Sequence, residues 1–249
     1  MKEKHTFYVP DAIERNLLPD DEARHAVRAL RMTTGDEMWL LDGKGNLIDA
    51  MVEDATQKRC TYRIVNTEKQ PKAWKGYVHL AIAPTKHIDR TEWLVEKATE
   101  IGVDEITFLR CRFSERTTLR LDRMENIVVA AMKQSRNAYK PKVNDLMSFR
   151  DFILRQANAI SEHEAEQATF IAHCYNEQQR EDMFRWLNTH TYIAHLTLMI
   201  GPEGDFSVDE VQLATDNGIM PVTLGETRLR TETAGLVGVM MMNLHNRNS

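Results

Sequence analysis

The sequence predicts an α/β protein with a small β-rich part followed by a larger part built on a mainly parallel sheet. Two observations support this fold class. The first seventy residues carry a hairpin pattern, whereas the remainder alternates short apolar strands with amphipathic helices, which is typical of a parallel sheet covered by helices. A polar segment with proline at 68–72 separates the two patterns. We therefore place the boundary near 71–76 and expect domains at 1–72 and 73–249.

The N-terminal part is predicted to consist mostly of strands. A glycine-rich turn joins two apolar runs, Glu37–Leu41 and Leu47–Asp54, which indicates a hairpin. The β-branched run Arg59–Thr67 predicts a third strand. A short helix is expected over Asp20–Leu30, with Asp20 or Asp21 as its N-terminal cap.

The C-terminal part alternates the two element types. Its predicted strands are Tyr77–Ala83, Ile106–Leu109, Thr169–His173, Leu196–Ile200 and Pro221–Leu224. Its predicted helices are Asp89–Ile101, Asp122–Asn137, Ser207–Asn217 and Thr231–His245. Gly102 is expected to end the first helix, and Ser207 with Glu210 has the spacing of a capping box. The polar stretch Gln156–Gln167 predicts a loop.

The helix over Asp89–Ile101 has an expected packing face of its own. Its apolar spacing predicts an amphipathic helix in which Trp93, Leu94, Lys97, Ala98 and Ile101 lie together on one face.

Composition and cysteine usage narrow the class of protein. The hydrophobic share of 42% and the charged share of 28% are those of an ordinary globular protein. We expect neither a membrane span nor a secretory signal, because no apolar run is long enough and the first ten residues are polar. The cysteines Cys60, Cys111 and Cys174 are scattered and odd in number, which favours a reduced cytoplasmic location and neither a disulfide framework nor a metal site.

The charge distribution leaves the partner open. A net charge of −5 argues weakly against nucleic acid, but Arg110–Lys142 carries nine Lys and Arg against three Asp and Glu. Such a basic segment can hold phosphates. A solvated helix face accounts for the same pattern.

Three loops follow predicted strands at the sheet edge where open parallel sheets bind ligands. They come after Ile171–His173, after Leu196–Ile200 and after Pro221–Leu224. In the second loop, Gly201 and Gly204 remove side chains so that a ligand can approach the backbone. An ordinary strand-to-helix turn is the alternative, because glycine and proline punctuate such turns.

The third loop carries charged side chains at a predicted helix start. Arg228 and Arg230 precede Glu232, and together they could grip an anion or a polar base edge. An Arg–Glu pair that only caps the helix is the alternative.

The order of these motifs resembles the small-subunit ribosomal RNA N3-uridine methyltransferases of the SPOUT class. The tail carries Gly201-Pro202-Glu203-Gly204, then Leu224-Gly225, then Leu229-Arg230-Thr231-Glu232-Thr233-Ala234. Further matching stretches are His25–Met32, Lys86, Arg90, Glu92, Glu96–Val103, Ser114–Arg116 and Gln134–Arg136. The ordered set covers nearly the whole chain. Asp205 departs from the pattern where a third glycine is usual, and so does Thr227-Arg228, where Arg and an aliphatic residue are usual.

The resemblance implies a fold and a set of partners. The C-terminal part would be a SPOUT α/β knot, a deep trefoil knot on a mainly parallel sheet, and the N-terminal part a PUA-like β-barrel that binds RNA. The cofactor would be S-adenosyl-L-methionine, bent within the knot. The partners would be 16S ribosomal RNA in the small ribosomal subunit and a second copy of the chain, docked through the knot domain. The run Val239–Met242 fits that apolar interface, and plain core fits it equally.

The resemblance also implies roles for residues. The reaction would be methylation of uracil N3 at the uridine conventionally numbered 1498, without a metal. Arg230 would hold the uracil anion and Glu232 would remove the proton, with Glu203 as the alternative base. The implied cofactor residues are His173, Ile200, Gly201, Pro202, Glu203, Gly204, Leu224, Gly225 and Leu229. The implied RNA contacts are Arg28, Arg31, Lys86, Arg90, Arg116 and Arg136.

Two other functions remain possible on the sequence. A related enzyme could methylate a ribose 2′-hydroxyl in another RNA. A non-catalytic RNA-binding protein could retain a degenerate knot.

Overall fold

A computed structural model describes residues 4–56, 59–162, 167–175, 179–190 and 193–248. The chain divides into two compact units. The first consists of Met1–Lys72 and Val129–Lys140, and the second of Ala73–Val128 and Pro141–Ser249. The segment Val129–Lys140 therefore groups with the N-terminal unit, although it lies far along the chain.

The first unit is built on a four-stranded sheet in the order β1-β2-β3-β4. Its strands are β1 (His5–Tyr8), β2 (Glu37–Leu41), β3 (Asn46–Thr56) and β4 (Arg59–Lys69). The last three pair antiparallel, which confirms the predicted hairpin and third strand, while β1 runs parallel to β2. Strand β1 was not predicted, because its four residues are too few to show a period.

The predicted helix begins as α1 (Asp20–Arg24) and continues as a π-helical turn over His25–Ala29. The capping prediction was wrong. Pro19 occupies the cap position, and neither Asp20 nor Asp21 makes a side-chain cap bond, because both lie inside the first turn. Glu22 turns inward instead and accepts from Lys133 Nζ at 2.7 Å, so the helix is held by the segment Val129–Lys140.

The second unit is built on a seven-stranded sheet in the order β7-β6-β5-β10-β8-β11-β9. Its strands are β5 (Tyr77–Ile82), β6 (Glu105–Arg110), β7 (Lys142–Ser148), β8 (Gln167–Ala172), β9 (Glu181–Asp182), β10 (His195–Ile200) and β11 (Met220–Thr223). Every pairing in this sheet is parallel, which confirms the predicted architecture. The strands β7 and β9 were not predicted.

In the described part of the chain, six further helices come after α1. Helix α3 lies partly in each unit. They are α2 (Ile88–Ile101), α3 (Leu121–Ser135), α4 (Phe149–Glu162), α5 (Met183–Thr189), α6 (Val208–Asp216) and α7 (Thr231–Asn248). The loop predicted over Gln156–Gln167 was wrong as far as Glu162, because Phe149, Phe152 and Ile153 bury one face of α4. Residues 163–166 lie outside the described residues.

Details of two helices test the capping and packing predictions. Gly102 ends α2 with a φ of 113°, and Ser207 with Glu210 forms the predicted capping box of α6. The predicted packing face of α2 was partly wrong, because Trp93 is 44% exposed. The buried residues are instead Thr91, Leu94, Val95, Ala98 and Thr99.

Two further observations bear on partners. In the described part of the chain, no helix is both long enough and apolar enough to cross a membrane. In α7, Val239 and Met242 are fully buried, whereas Met240 is exposed, so the methionine-rich run is partly core and partly surface.

Candidate active site

A cavity of about 850 Å³ lies at the carboxyl ends of β8, β10 and β11. This volume is in the range that small-molecule ligands occupy. Its lining comes from the three loops that the sequence singled out, together with Arg90 of α2, the segment around β9 and the start of α7. The strand order places these loops side by side, because β10 pairs with β8 and β8 pairs with β11.

Most of the residues expected at a cofactor site line this cavity. They are His173, Ile200, Gly201, Pro202, Glu203, Leu224, Gly225 and Leu229. Arg230, expected at the substrate, also lines it, and so does Arg90, which was expected to contact RNA. Gly204 and Glu232 are not part of the lining.

The remaining residues expected to contact RNA lie elsewhere. Lys86 and Arg116 belong to the second unit but do not line the cavity. Arg28, Arg31 and Arg136 belong to the first unit, and all three are exposed. The Arg136 guanidinium stacks 4.3 Å above the ring of Trp39, so that side chain has an intramolecular partner.

The loop Gly201–Phe206 turns tightly at the end of β10. A Cβ atom at Gly201 would lie 2.9 Å from the amide nitrogen of Phe206, so a side chain at this position requires the backbone to shift. Asp205 adopts a φ of 69°, a conformation that favours glycine. Its carboxylate accepts from the amides of Cys174 and Phe206, each at 2.8 Å, and so ties the first loop to the second.

Glu203 connects the same loop to the residues after β5. Its carboxylate accepts from the amide of Lys86 at 2.9 Å. Arg116 closes the arrangement by donating to the carbonyl oxygens of Thr85 and Lys86 at 3.1 and 2.7 Å. Glu203 therefore has a structural partner already, which weakens it as a candidate base.

His173 presents an unsatisfied polar atom at the cavity. Its Nδ1 accepts from the amide of Tyr175 at 3.3 Å, which assigns the ring proton to Nε2. That Nε2 is buried and has no hydrogen-bond partner among the described residues. Burial lowers the pKa of His173, and Arg180 lowers it further against the opposing charge of Asp205. The neutral ring of His173, a residue that lines the cavity, therefore carries a donor without a partner among the described residues.

Glu232 lies next to Arg90. The Glu232 side chain is only 11% exposed, and its Oε1 is 3.9 Å from Arg90 Nε. Its Oε2 is buried without a hydrogen-bond partner among the residues that the structure describes. Since Arg90 lines the cavity and Glu232 does not, the guanidinium is the member of the pair that a ligand would meet.

Several residues that line the cavity were not predicted from the sequence. Among them are Cys174, Arg180, Asp182 and Glu226, and Asp205 also lines the cavity although it was noted only as a departure from the family pattern. The sequence could have indicated Asp182 as a helix cap, because it caps α5 by accepting from the amide of Arg185 at 2.8 Å. No sequence pattern indicates Arg180. It donates to the carbonyl oxygen of His173 at 2.6 Å, a contact that only the folded chain creates.

Within the described residues, no group of three or more His, Cys, Asp or Glu side chains is arranged to hold a metal ion. The polar lining of the cavity includes arginines, carboxylates and His173.

Family models match both parts of the chain. An RNA methyltransferase domain matches residues 72–243, and an RNA methyltransferase PUA domain matches residues 18–65. The chain is 30% identical to ribosomal RNA small subunit methyltransferase E of Mycobacterium bovis over 94% of its own length and 91% of the relative.

Solved structures with the same fold agree. A probable rRNA-methyltransferase from Porphyromonas gingivalis is 38% identical, with a TM-score of 0.85 over 97% of this chain and 98% of that one. A ribosomal RNA small subunit methyltransferase E from Neisseria gonorrhoeae, bound to S-adenosyl methionine, is 25% identical, with a TM-score of 0.78 over the same shares. Because both domain models match in order and the relatives align over almost their full length, the chain belongs to the RNA methyltransferase family of ribosomal RNA small subunit methyltransferase E.

Proposed function

We propose that this protein transfers a methyl group from S-adenosyl-L-methionine to N3 of a uridine in 16S ribosomal RNA. By the resemblance of its motifs, the target is the uridine conventionally numbered 1498. The observation that carries the proposal is the cavity of about 850 Å³ at the edge of a parallel sheet, which is lined by both a neutral His173 and Arg230. The family of the chain supplies the reaction class.

The cavity fits the cofactor. Gly225 has a φ of 134°, and a Cβ atom placed there would meet nothing within 4 Å, so a ligand can approach this backbone closely. His173 Nε2 offers a buried donor, and the loops offer backbone groups. S-adenosylmethionine, when bound, supplies an electrophilic methyl group. The N. gonorrhoeae relative, crystallised with that molecule, supports the assignment.

Arg230 is the residue that we assign to the uracil. N3 of uracil is protonated at neutral pH, and it becomes a nucleophile only when the site removes the proton or stabilises the anion. Arg230 lines the cavity immediately before α7, where the helix dipole adds to the positive charge of the guanidinium. Both effects favour the anion.

For Glu232 we propose a positioning role. Proton removal by this carboxylate was the expectation from the resemblance, but a buried side chain outside the cavity lining does not face a bound base. Its nearest charged partner is Arg90, and we assign Glu232 to holding that guanidinium at the cavity.

The broader assembly is also proposed. Residues 1–72 would bind RNA, with Arg28 and Arg31 as exposed phosphate contacts. The second domain would be knotted and would form a homodimer. The exposed Met240 and Leu244 on α7 provide apolar surface that suits such an interface. A small-subunit RNA substrate places the enzyme in the cytoplasm.

Mass mapping of small-subunit RNA from cells that lack the gene tests the proposed function. We expect one uridine to lose a base methylation and to regain it when the wild-type gene returns. Purified protein should then methylate that uridine in free 16S RNA or in small subunits. Loss of a ribose methylation instead would support the 2′-hydroxyl alternative. No change in RNA, with no calorimetric binding of S-adenosylmethionine, would support a non-catalytic RNA-binding protein.

A further inference from the structure

The loop that follows β6 exposes an aromatic ring among arginines. Phe113 is 47% exposed, and it lies between Arg112 and Arg116 in a segment that begins at Arg110. A water-exposed aromatic side chain next to positive charge is the arrangement on which proteins stack unpaired bases while holding the phosphates.

Phe113 lies directly against the loop Gly201–Phe206. A Cβ atom at Gly204 would be 3.1 Å from the Cβ of Phe113, so the missing side chain of the glycine leaves room for the phenylalanine. The two neighbours of that glycine, Glu203 and Asp205, line the cavity. The ring is therefore separated from the cavity by the thickness of one loop.

The backbone that carries the ring is held in place. The amide of Cys111 donates to Ser114 Oγ at 3.0 Å, and the amide of Ser114 donates back to the carbonyl of Cys111 at 3.2 Å. The amide of Arg112 donates to Glu210 Oε1 at 2.8 Å, which anchors the loop to α6. A ring on a preformed loop binds without the entropy cost of ordering the loop.

The charges beside the ring suit a nucleic-acid strand. The Arg116 guanidinium donates to the carbonyl oxygens of Thr85 and Lys86. The Arg120 guanidinium forms an ion pair with Asp122. Arg110 and Arg112 are exposed, and among the described residues no ion pair or side-chain hydrogen bond occupies either guanidinium. Two available positive charges shortly precede an exposed ring in the chain, which is the chemistry that recognises one nucleotide and its phosphates.

We propose that Phe113 is the stacking platform for an unpaired base that neighbours the target uridine, with Arg110 and Arg112 on the adjoining phosphates. This inference rests on the proposed function, because it names how the RNA substrate of that site is held. Stacking there would keep the flanking nucleotide in place while the target base enters the cavity.

Three substitutions at Phe113 and one control test the proposal. Phe113→Ala keeps the Cβ that meets Gly204, Phe113→Leu keeps apolar bulk, and Phe113→Trp keeps an aromatic face. Leu154→Ala is the matched control, because Leu154 of α4 is equally exposed at 47%. The measurements are KM for small subunits from cells lacking the gene, filter-retention affinity for purified 16S RNA, and calorimetric Kd for S-adenosylmethionine.

We expect Ala and Leu at position 113 to raise KM for subunits and to weaken RNA binding by roughly tenfold, as the loss of one stacked base does. Phe113→Trp and the Leu154 control should match the wild type, and all four variants should keep the wild-type Kd for S-adenosylmethionine. The proposal is overturned if Phe113→Leu binds RNA as the wild type does. It is also overturned if cofactor affinity falls in step with RNA affinity, which would indicate a structural role for the loop.

The two hypotheses fail in different ways. If the wild-type protein methylates no subunit RNA, the proposed function is wrong, and the filter-retention comparison still decides whether Phe113 contacts RNA.

Discussion

At the scale of single residues, the cavity shows how one side chain can take two roles. Asp205 occupies a left-handed conformation that costs most non-glycine residues about 1–2 kcal/mol, although Asp tolerates it better than most. Its carboxylate offsets that cost with two hydrogen bonds to backbone amides, one of which belongs to Cys174 in a different loop. A glycine here would relieve the conformation and would remove both of these hydrogen bonds, which leaves the bond from the Tyr175 hydroxyl to the carbonyl of Phe206 to join the two loops.

The pair of Arg90 and Glu232 gives the first residue-scale prediction. If Glu232 acts by positioning Arg90, then Glu232→Gln and Arg90→Ala should each lower kcat about tenfold, and the double variant should be no worse than Arg90→Ala. The kcat of Arg230→Ala should fall further, by about 10²–10³, because a group that meets the developing anion is lost.

The shape of the pH profile distinguishes the two roles of Glu232. A positioning residue leaves the profile of kcat unchanged in Glu232→Gln, whereas a general base would remove its acidic limb. Losses that add fully in the double variant, together with a flattened profile, would show that Glu232 takes the proton itself. Steady-state methylation of small subunits provides kcat for the wild type and the four variants.

At the scale of elements, α7 approaches the sheet closely through glycine. A Cβ atom at Gly238 would collide with the terminal methyl of Leu198, a fully buried residue of β10. A Cβ atom at Gly235, one turn earlier, would lie 2.9 Å from Cδ1 of Ile82 on β5. The helix that begins at the third cavity loop therefore packs closely on β5 and β10, because Gly235 and Gly238 have no side chains.

Gly238→Ala should therefore lower the free energy of unfolding by about 1–3 kcal/mol, the usual cost of overpacking a core. The substitution favours the helix by about 1 kcal/mol through propensity, which works in the opposite direction. A second substitution, Leu198→Ala, should cost less in the Gly238→Ala background than alone, because it removes the colliding methyl. Urea denaturation of the four proteins measures this coupling, and strictly additive losses would show that the two residues do not meet.

Helix α4 shows why some elements escape prediction. Its first half has an apolar face, but its buried face continues into the polar Gln156. That side chain is satisfied by a hydrogen bond from the hydroxyl of Thr169 on β8, at 3.4 Å. A polar residue that is buried against a distant strand resembles a loop residue in the sequence, because the partner that satisfies it cannot be seen.

At the scale of the whole molecule, a buried polar cluster in the second unit sets the response to acid. His79 shares a hydrogen bond with Thr107 at 2.8 Å, and burial lowers the pKa of His79 from 6.5 to about 4. Burial raises the pKa of Glu105, but His79 and the hydrogen bonds from Tyr77, Asn144 and Lys142 outweigh it and lower that pKa from 4.5 to about 2. Both groups therefore take up protons more readily in the unfolded chain.

The free energy of unfolding should consequently fall in two stages as the pH is lowered. Between pH 6.5 and about 4, His79 binds a proton in the unfolded chain but not in the folded chain. This difference lowers the free energy of unfolding by up to about 3 kcal/mol. From pH 4.5 towards about 2, protonation of Glu105 in the unfolded chain removes further stability. Denaturant titrations of wild type and His79→Gln at several pH values test this, and an unchanged slope above pH 4.5 in the variant would contradict it.

The sequence by itself determined the local elements and the ingredients of the site. Strand periodicity, the Gly102 terminator and the Ser207 capping box were readable because they depend on residues a few positions apart. The same holds for the glycine and arginine loops, whose order along the chain resembles the family to which the chain belongs.

Only the tertiary structure decided how these pieces meet. The strand order places β10 between β5 and β8 and so brings the three loops around one cavity. The same folding turns Glu232 beneath Arg90, sets Phe113 against Gly204 and joins residues 129–140 to the first unit. These outcomes depend on packing between residues distant in the sequence, and the period of a single element carries no information about which distant partner will bury its face.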